Sequence, residues 1–91
     1  MATIEKTRKS TATVESTALQ NEIIVFNDDV NTFDHVIETL IRVCSHQAEQ
    51  AEQCALIIHY KGKCTVKTGE LKELVPQCTQ LLDAGLSAEI A

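Results

Sequence analysis

The sequence predicts a two-layer α+β domain in the order β-α-α-β-α-β, a three-stranded antiparallel sheet packed against helices. Two observations carry this. Three stretches repeat their apolar residues at helical spacing, and three short runs read as strands. Segments rich in polar residues or broken by glycine separate them, as turns require.

The first strand is Ile23-Ile24-Val25-Phe26, short, β-branched and aromatic, stopped by Asn27-Asp28-Asp29. A helix is predicted from about Thr32 to Cys44. Phe33, Val36, Ile37, Leu40, Ile41 and Cys44 form its stripe, with Thr32 as cap and Asp34 in its first turn. A second helix runs from about Gln47 to Ile57. Its stripe of Ala48, Ala51, Cys54, Ala55 and Ile58 is small enough for close packing on the first. His59-Tyr60-Lys61-Gly62-Lys63 reads as a connector, and Cys64–Thr68 as the second strand, ended by Gly69. The third helix spans about Glu70 to Asp83, but Pro76 falls within its apolar pattern. A mid-helix proline removes a hydrogen bond and crowds the preceding turn, so the expected start moves to Leu74 or Val75. Leu86–Ile90 alternates after Gly85 and reads as the last strand.

Residues 1–21 are rich in Ser and Thr and lack either period. They are expected to be a disordered N-terminal extension ahead of a domain at 22–91. The net charge of −5 argues against nucleic acid, which needs clustered Lys and Arg. No apolar run reaches the roughly 20 residues that span a bilayer. Met1–Lys6 has no signal-peptide core, so a cytoplasmic location is expected. In that compartment Cys44, Cys54, Cys64 and Cys78 read as reduced thiols.

Three constellations could carry chemistry. Asn27-Asp28-Asp29 is plainly read as a turn-and-cap cluster, but it also gathers oxygen acceptors where a buried strand ends. An ammonium has three donors and no acceptor, and such a cluster could satisfy it. His59 follows Leu56-Ile57-Ile58. A histidine there is ordinarily structural, yet a neutral imidazole could supply a third acceptor. His35 is read as solvent-facing and His46 as an inter-helix linker. The cysteines lack the close C-x₂₋₄-C pairs of metal sites, and no phosphate loop or nucleophile motif is present. No metal, cofactor or catalytic residue is therefore expected.

Two motifs together resemble the ClpS family: a strand ending in Asn27-Asp28-Asp29, and an apolar run ending in His59 with Gly62-Lys63 after it. Val36, Ile37, Leu40, Gln50 and Ala51 fall in place between them. The resemblance covers roughly residues 22–91. It implies an adaptor rather than an enzyme, acting as a monomer. Such an adaptor binds substrates with a large hydrophobic first residue (an N-degron). It delivers them to the N-terminal domain of a ClpA- or ClpC-type AAA+ unfoldase for degradation by ClpP. By position, the resemblance assigns amine binding to Asn27, Asp28 and His59. It assigns the side-chain pocket to Val25, Asn31, Phe33, Val36, Ala55, Ile58 and Leu86, and unfoldase docking to Glu70.

The chain departs from the family pattern at the pocket. Asn31-Thr32-Phe33 stands where many members have Thr-Pro-Met, and Ala55 stands in place of another pocket methionine. Val75 falls near the position of a basic docking residue, and the segment from Lys63 to Leu86 is shorter than in many members. Two competing readings stand beside the adaptor. One is a protein-interaction module of the same fold that binds no N-degron, and the other is a small thiol or metal protein.

Overall fold

In the computed structural model, which describes residues 20–91, a central strand organises the domain. This is β1, Asn21–Phe26, whose Ile23 and Val25 are almost fully buried and whose alternate residues are only partly so. It pairs antiparallel with β2 (Lys63–Gly69) on one side and β3 (Ser87–Ile90) on the other. Period-two alternation therefore aims one face of the sheet at the core. The helices α1 (Phe33–Cys44), α2 (Ala48–Lys61) and α3 (Leu71–Asp83) complete that core. Leu40, Ala51, Ile58, Leu74 and Leu81 join Ile23 and Val25 in one apolar cluster. The expected fold class is the observed one. No helix among the described residues is long and apolar enough to cross a membrane.

Several boundaries differ from the sequence reading for physical reasons. β1 opens at Asn21, one residue before the expected domain start, because Asn21 pairs with Gly69 and its amide donates to the Ala91 carbonyl. The expected disorder of residues 1–19 lies outside the described residues. α2 continues through His59, Tyr60 and Lys61, so that segment is no connector. Gly62 ends the helix in a left-handed cap with φ 95°, its N–H donating to the Ile58 carbonyl. β2 takes in Lys63 and Gly69, while β3 begins at Ser87 and leaves Leu86 outside the strand.

α3 starts at Leu71, not at Leu74 or Val75, and carries Pro76 inside it. The Glu70 carbonyl accepts from the N–H groups of Glu73 and Leu74, which nucleates the turn ahead of the proline. Pro76 deprives only the Lys72 carbonyl of a helical partner, and both residues are exposed, where water can substitute. Burial of Leu74, 1% exposed, favours keeping this turn helical.

His46 lies in the loop between α1 and α2, but it is a core residue rather than a simple linker. The residue is only 5% exposed. The pairing of β1 with β2 shifts between Ile23 and Ile24, leaving Val66 as the extra residue of a bulge. His46 Nε2–H donates to the Val66 carbonyl at 2.7 Å.

Candidate functional site

The loop after β1, the first turns of α1 and the last turn of α2 meet at one end of the sheet. The Asn27 N–H donates to the Gly62 carbonyl at 2.9 Å, which ties the strand end to the α2 cap. Asp28 then folds the loop. Its Oδ1 accepts from the N–H groups of Val30 and Asn31, both at 2.9 Å, and its Oδ2 accepts from the Asn31 side-chain amide at 2.8 Å. This is an Asx turn, the plain cap function expected of such residues. Thr32 follows as N-cap of α1, its hydroxyl accepting from the His35 N–H.

Between these elements lies a cavity of about 320 Å³. Asn27, Asp28 and His59 contribute polar groups to it, together with Asp29, a member of the acceptor cluster to which the resemblance assigns no amine-binding role. Phe33, Val36, Ala55 and Ile58 form its apolar walls, and Asn31 completes the lining. Val25 and Leu86, expected in the pocket, belong to the core instead, with exposures of 1% and 4%. Their strand and turn lie against the helices, so their side chains are spent on packing.

His59 projects from the final turn of α2 and is solvent-exposed. Its ring meets Phe33 edge-on, with centroids 5.2 Å apart, and Tyr60 edge-on at 4.9 Å. Such edge contacts orient an imidazole without consuming its nitrogens. The Asp28 carboxyl is held below the ordinary aspartate range. The Asn31 backbone N–H is the largest cause. Partial desolvation opposes it, and the Val30 N–H and the Asn31 amide add to the lowering.

His35 is half-buried, not solvent-facing. Its Nε2–H donates to the Ala84 carbonyl at 2.8 Å, in the turn between α3 and β3. The same turn accepts a bond from the Asn31 amide at the Gly85 carbonyl. No local pattern announces these bonds, because their partners lie about fifty residues away in the chain.

Glu70 lies apart from the cavity, as the N-cap residue of α3. It makes an exposed ion pair with Lys72 at 3.7 Å and borders a shallow apolar depression formed by Leu71, Val75 and Pro76. Cys44, Cys54 and Cys78 are buried, and burial raises all three thiol pKa values. Cys54 is pushed up to about 12, by desolvation first and then by its contact with Cys64. Such thiols are poor nucleophiles. Among the described residues, no three His, Cys, Asp or Glu side chains converge in a way that could hold a metal ion.

Fold and cavity together have the form of a small binding domain, with polar acceptors at one side of an apolar recess. The family described as ATP-dependent Clp protease adaptor protein ClpS matches residues 5–89, and the chain belongs to that family. A ClpS adapter of Nostoc sp. is 38% identical over 82 residues, spanning 87% of this chain and 82% of that protein. One from Campylobacter jejuni is 39% identical over 67 residues, spanning 67% and 70%. The structure of Agrobacterium tumefaciens ClpS2 bound to L-phenylalaninamide superposes with a TM-score of 0.76. It covers 79% of this chain and 94% of its own at 17% identity, a likeness of fold.

Proposed function

We propose that this protein captures proteins through a free N-terminus whose first residue is large and hydrophobic, and delivers them to a ClpA- or ClpC-type unfoldase for ClpP degradation. It acts as an adaptor and not as an enzyme, in the cytoplasm, as a monomer. The observation that carries this reading is one cavity that joins Asn27, Asp28 and His59 to the apolar walls of Phe33, Val36, Ala55 and Ile58. An α-ammonium and its own side chain leave the same carbon, so a site for both must hold acceptors and apolar walls together. That the structural neighbour from Agrobacterium tumefaciens holds L-phenylalaninamide, a free amine beside an aromatic side chain, agrees with this chemistry.

Magnitudes explain why both halves are needed. Burying one Leu or Phe side chain is worth roughly 1.5–3 kcal/mol. A hydrogen bond to a charged group is worth about 1.5–3 kcal/mol. Micromolar affinity requires about 8 kcal/mol after ordering costs, which neither supplies alone. Fluorescence anisotropy with a Phe- or Leu-initiated peptide and its N-acetylated twin tests this directly. The acetylated peptide should lose nearly all binding, and equal affinity for the two would sink the proposal. If His59 accepts as a neutral imidazole, affinity should also fall as histidine protonates, whereas a flat profile across that range removes this role.

Delivery is assigned to Glu70 with the apolar depression beside it, and to residues 1–20. Deleting residues 1–20 should leave peptide binding intact and impair degradation of a bound substrate. A second reading rests on Asp28, whose carboxylate already caps its own loop. In that reading the domain is an interaction module that binds no N-degron, and indifference to acetylation would favour it.

A further inference from the structure

Asn31 lines the cavity, yet both of its side-chain N–H groups are already used. One donates to Asp28 Oδ2 and the other to the Gly85 carbonyl, each at 2.8 Å. Its backbone N–H adds a bond to Asp28 Oδ1. An amide nitrogen has two hydrogens, so Asn31 has none left to donate to a bound molecule. Its second acceptor is 54 residues away, on a glycine held at φ 95°, a backbone state that favours glycine. A Cβ at Gly85 would lie 3.7 Å from Asn31 Oδ1, so loop and turn are in near contact.

We infer that Asn31 is a positioning residue for amine recognition: its amide bridges Asp28 to the α3–β3 turn and fixes the Asp28 carboxylate in one orientation at the cavity. This rests on the reading of Asp28 as an ammonium acceptor. A carboxylate pinned through one oxygen can still swing. Here both oxygens are held, by Asn31 twice and by Val30 once. A carboxylate offers about four acceptor sites, so about one remains and its direction is set before a ligand arrives. Acceptors arranged beforehand cost less ordering on binding. Hydrogen bonds to the charged form also favour it, in keeping with the lowered Asp28 carboxyl.

The α3–β3 turn supplies an internal control. His35 holds the neighbouring Ala84 carbonyl at 2.8 Å and does not touch Asp28. A merely structural role would make loss of either tether equivalent. Other charged groups surround the region: Asp29 and His59 at the cavity, Lys61 and Lys63 beside Gly62, Asp34 on α1 and Asp83 before the turn. The measurement therefore reads the Asp28 carboxyl itself.

The experiment is a ¹³C-carboxyl NMR titration of the full chain without peptide, for the wild type, Asn31→Ala and His35→Ala. Anisotropy with a Phe-initiated peptide accompanies it. Asn31→Ala should raise the Asp28 titration midpoint and weaken the peptide about tenfold, while His35→Ala should leave the midpoint in place and change affinity by no more than about twofold. Asn31→Ser gives the same reading should the alanine variant fold poorly, because its hydroxyl is too short to bridge both acceptors. An unmoved midpoint in the Asn31 variants overturns the inference, as does equal weakening by Asn31→Ala and His35→Ala. If wild-type protein fails to distinguish free from acetylated peptide, the amine-binding reading fails, and the titration still judges the clamp on its own.

Discussion

The two ends of this domain are built on different principles. The cavity end is concave and dense in hydrogen bonds. Asp28 folds its own loop, Asn31 ties that loop to the α3–β3 turn, and Thr32 and His35 tie loop and turn to α1, leaving a recess of about 320 Å³. The α3 end is shallow, exposed and poor in such ties. Leu71 and Val75 are about half exposed beside Glu70, whose side chain makes no cap bond. A recess can select one small group by shape and charge, whereas an open apolar face can only offer area to a larger surface. Capture at one end and delivery at the other would require this division.

Four changes test that division, the largest expected effect first. Asp28→Ala removes an acceptor for the ammonium and the centre of the loop, and should weaken a Phe-initiated peptide about a hundredfold. Its affinity for the unfoldase N-terminal domain should not move; parallel loss of both in calorimetry would mean that the ends are not separate. Leu71→Asp places a charge in the apolar depression. It should weaken unfoldase binding about tenfold and leave the peptide dissociation constant unchanged.

Ala55→Leu fills the cavity wall with a branched side chain. Peptide affinity should drop several-fold, about as much as a lost apolar contact allows, with an overpacking cost of about 1–3 kcal/mol in urea unfolding. Unchanged binding would show that Ala55 does not face the first side chain. Pro76→Ala restores a backbone bond in α3 and should raise stability by about 1–3 kcal/mol without altering peptide affinity.

The smallest effect is on pH. The folded Asp28 carboxyl lies below its ordinary value of 3.8, so its loop bonds contribute fully above that value. They are lost as pH falls through the lower folded value. The ¹H–¹⁵N signals of Val30 and Asn31 should therefore stay fixed down to about pH 5 and shift only in stronger acid. A midpoint above 3.8 would contradict the hydrogen bonds drawn for this loop.

Much of the architecture is written in local pattern. Apolar spacing near 3.6 identifies α1 and α2, and short β-branched or alternating runs identify the strands, to within a few residues, because a buried face must repeat with its element. Asn27-Asp28-Asp29 marks the loop, since short polar side chains bond their own backbone. Where local signals conflict, packing decides. His59 reads as a connector residue because a glycine follows closely, yet Gly62 is the cap of a helix that runs through it. Pro76 argues against a helix start at Leu71, but burial of Leu74 outweighs one missing bond at an exposed turn.

By itself the sequence determined the order of elements, the acidic loop, the apolar stripes and the family motifs, all properties of neighbouring residues. Only the tertiary structure decided which of those residues share a cavity. It draws Phe33, Val36, Ala55, Ile58 and His59 to the loop and sends Val25 and Leu86 to the core. It also decided that His46 is buried and bonded to the bulge residue Val66, and that Asn31 reaches Gly85. The physical reason is distance along the chain. A hydrogen bond between residues 54 apart leaves no period and no neighbouring partner in sequence, and exists only once the sheet and helices have closed.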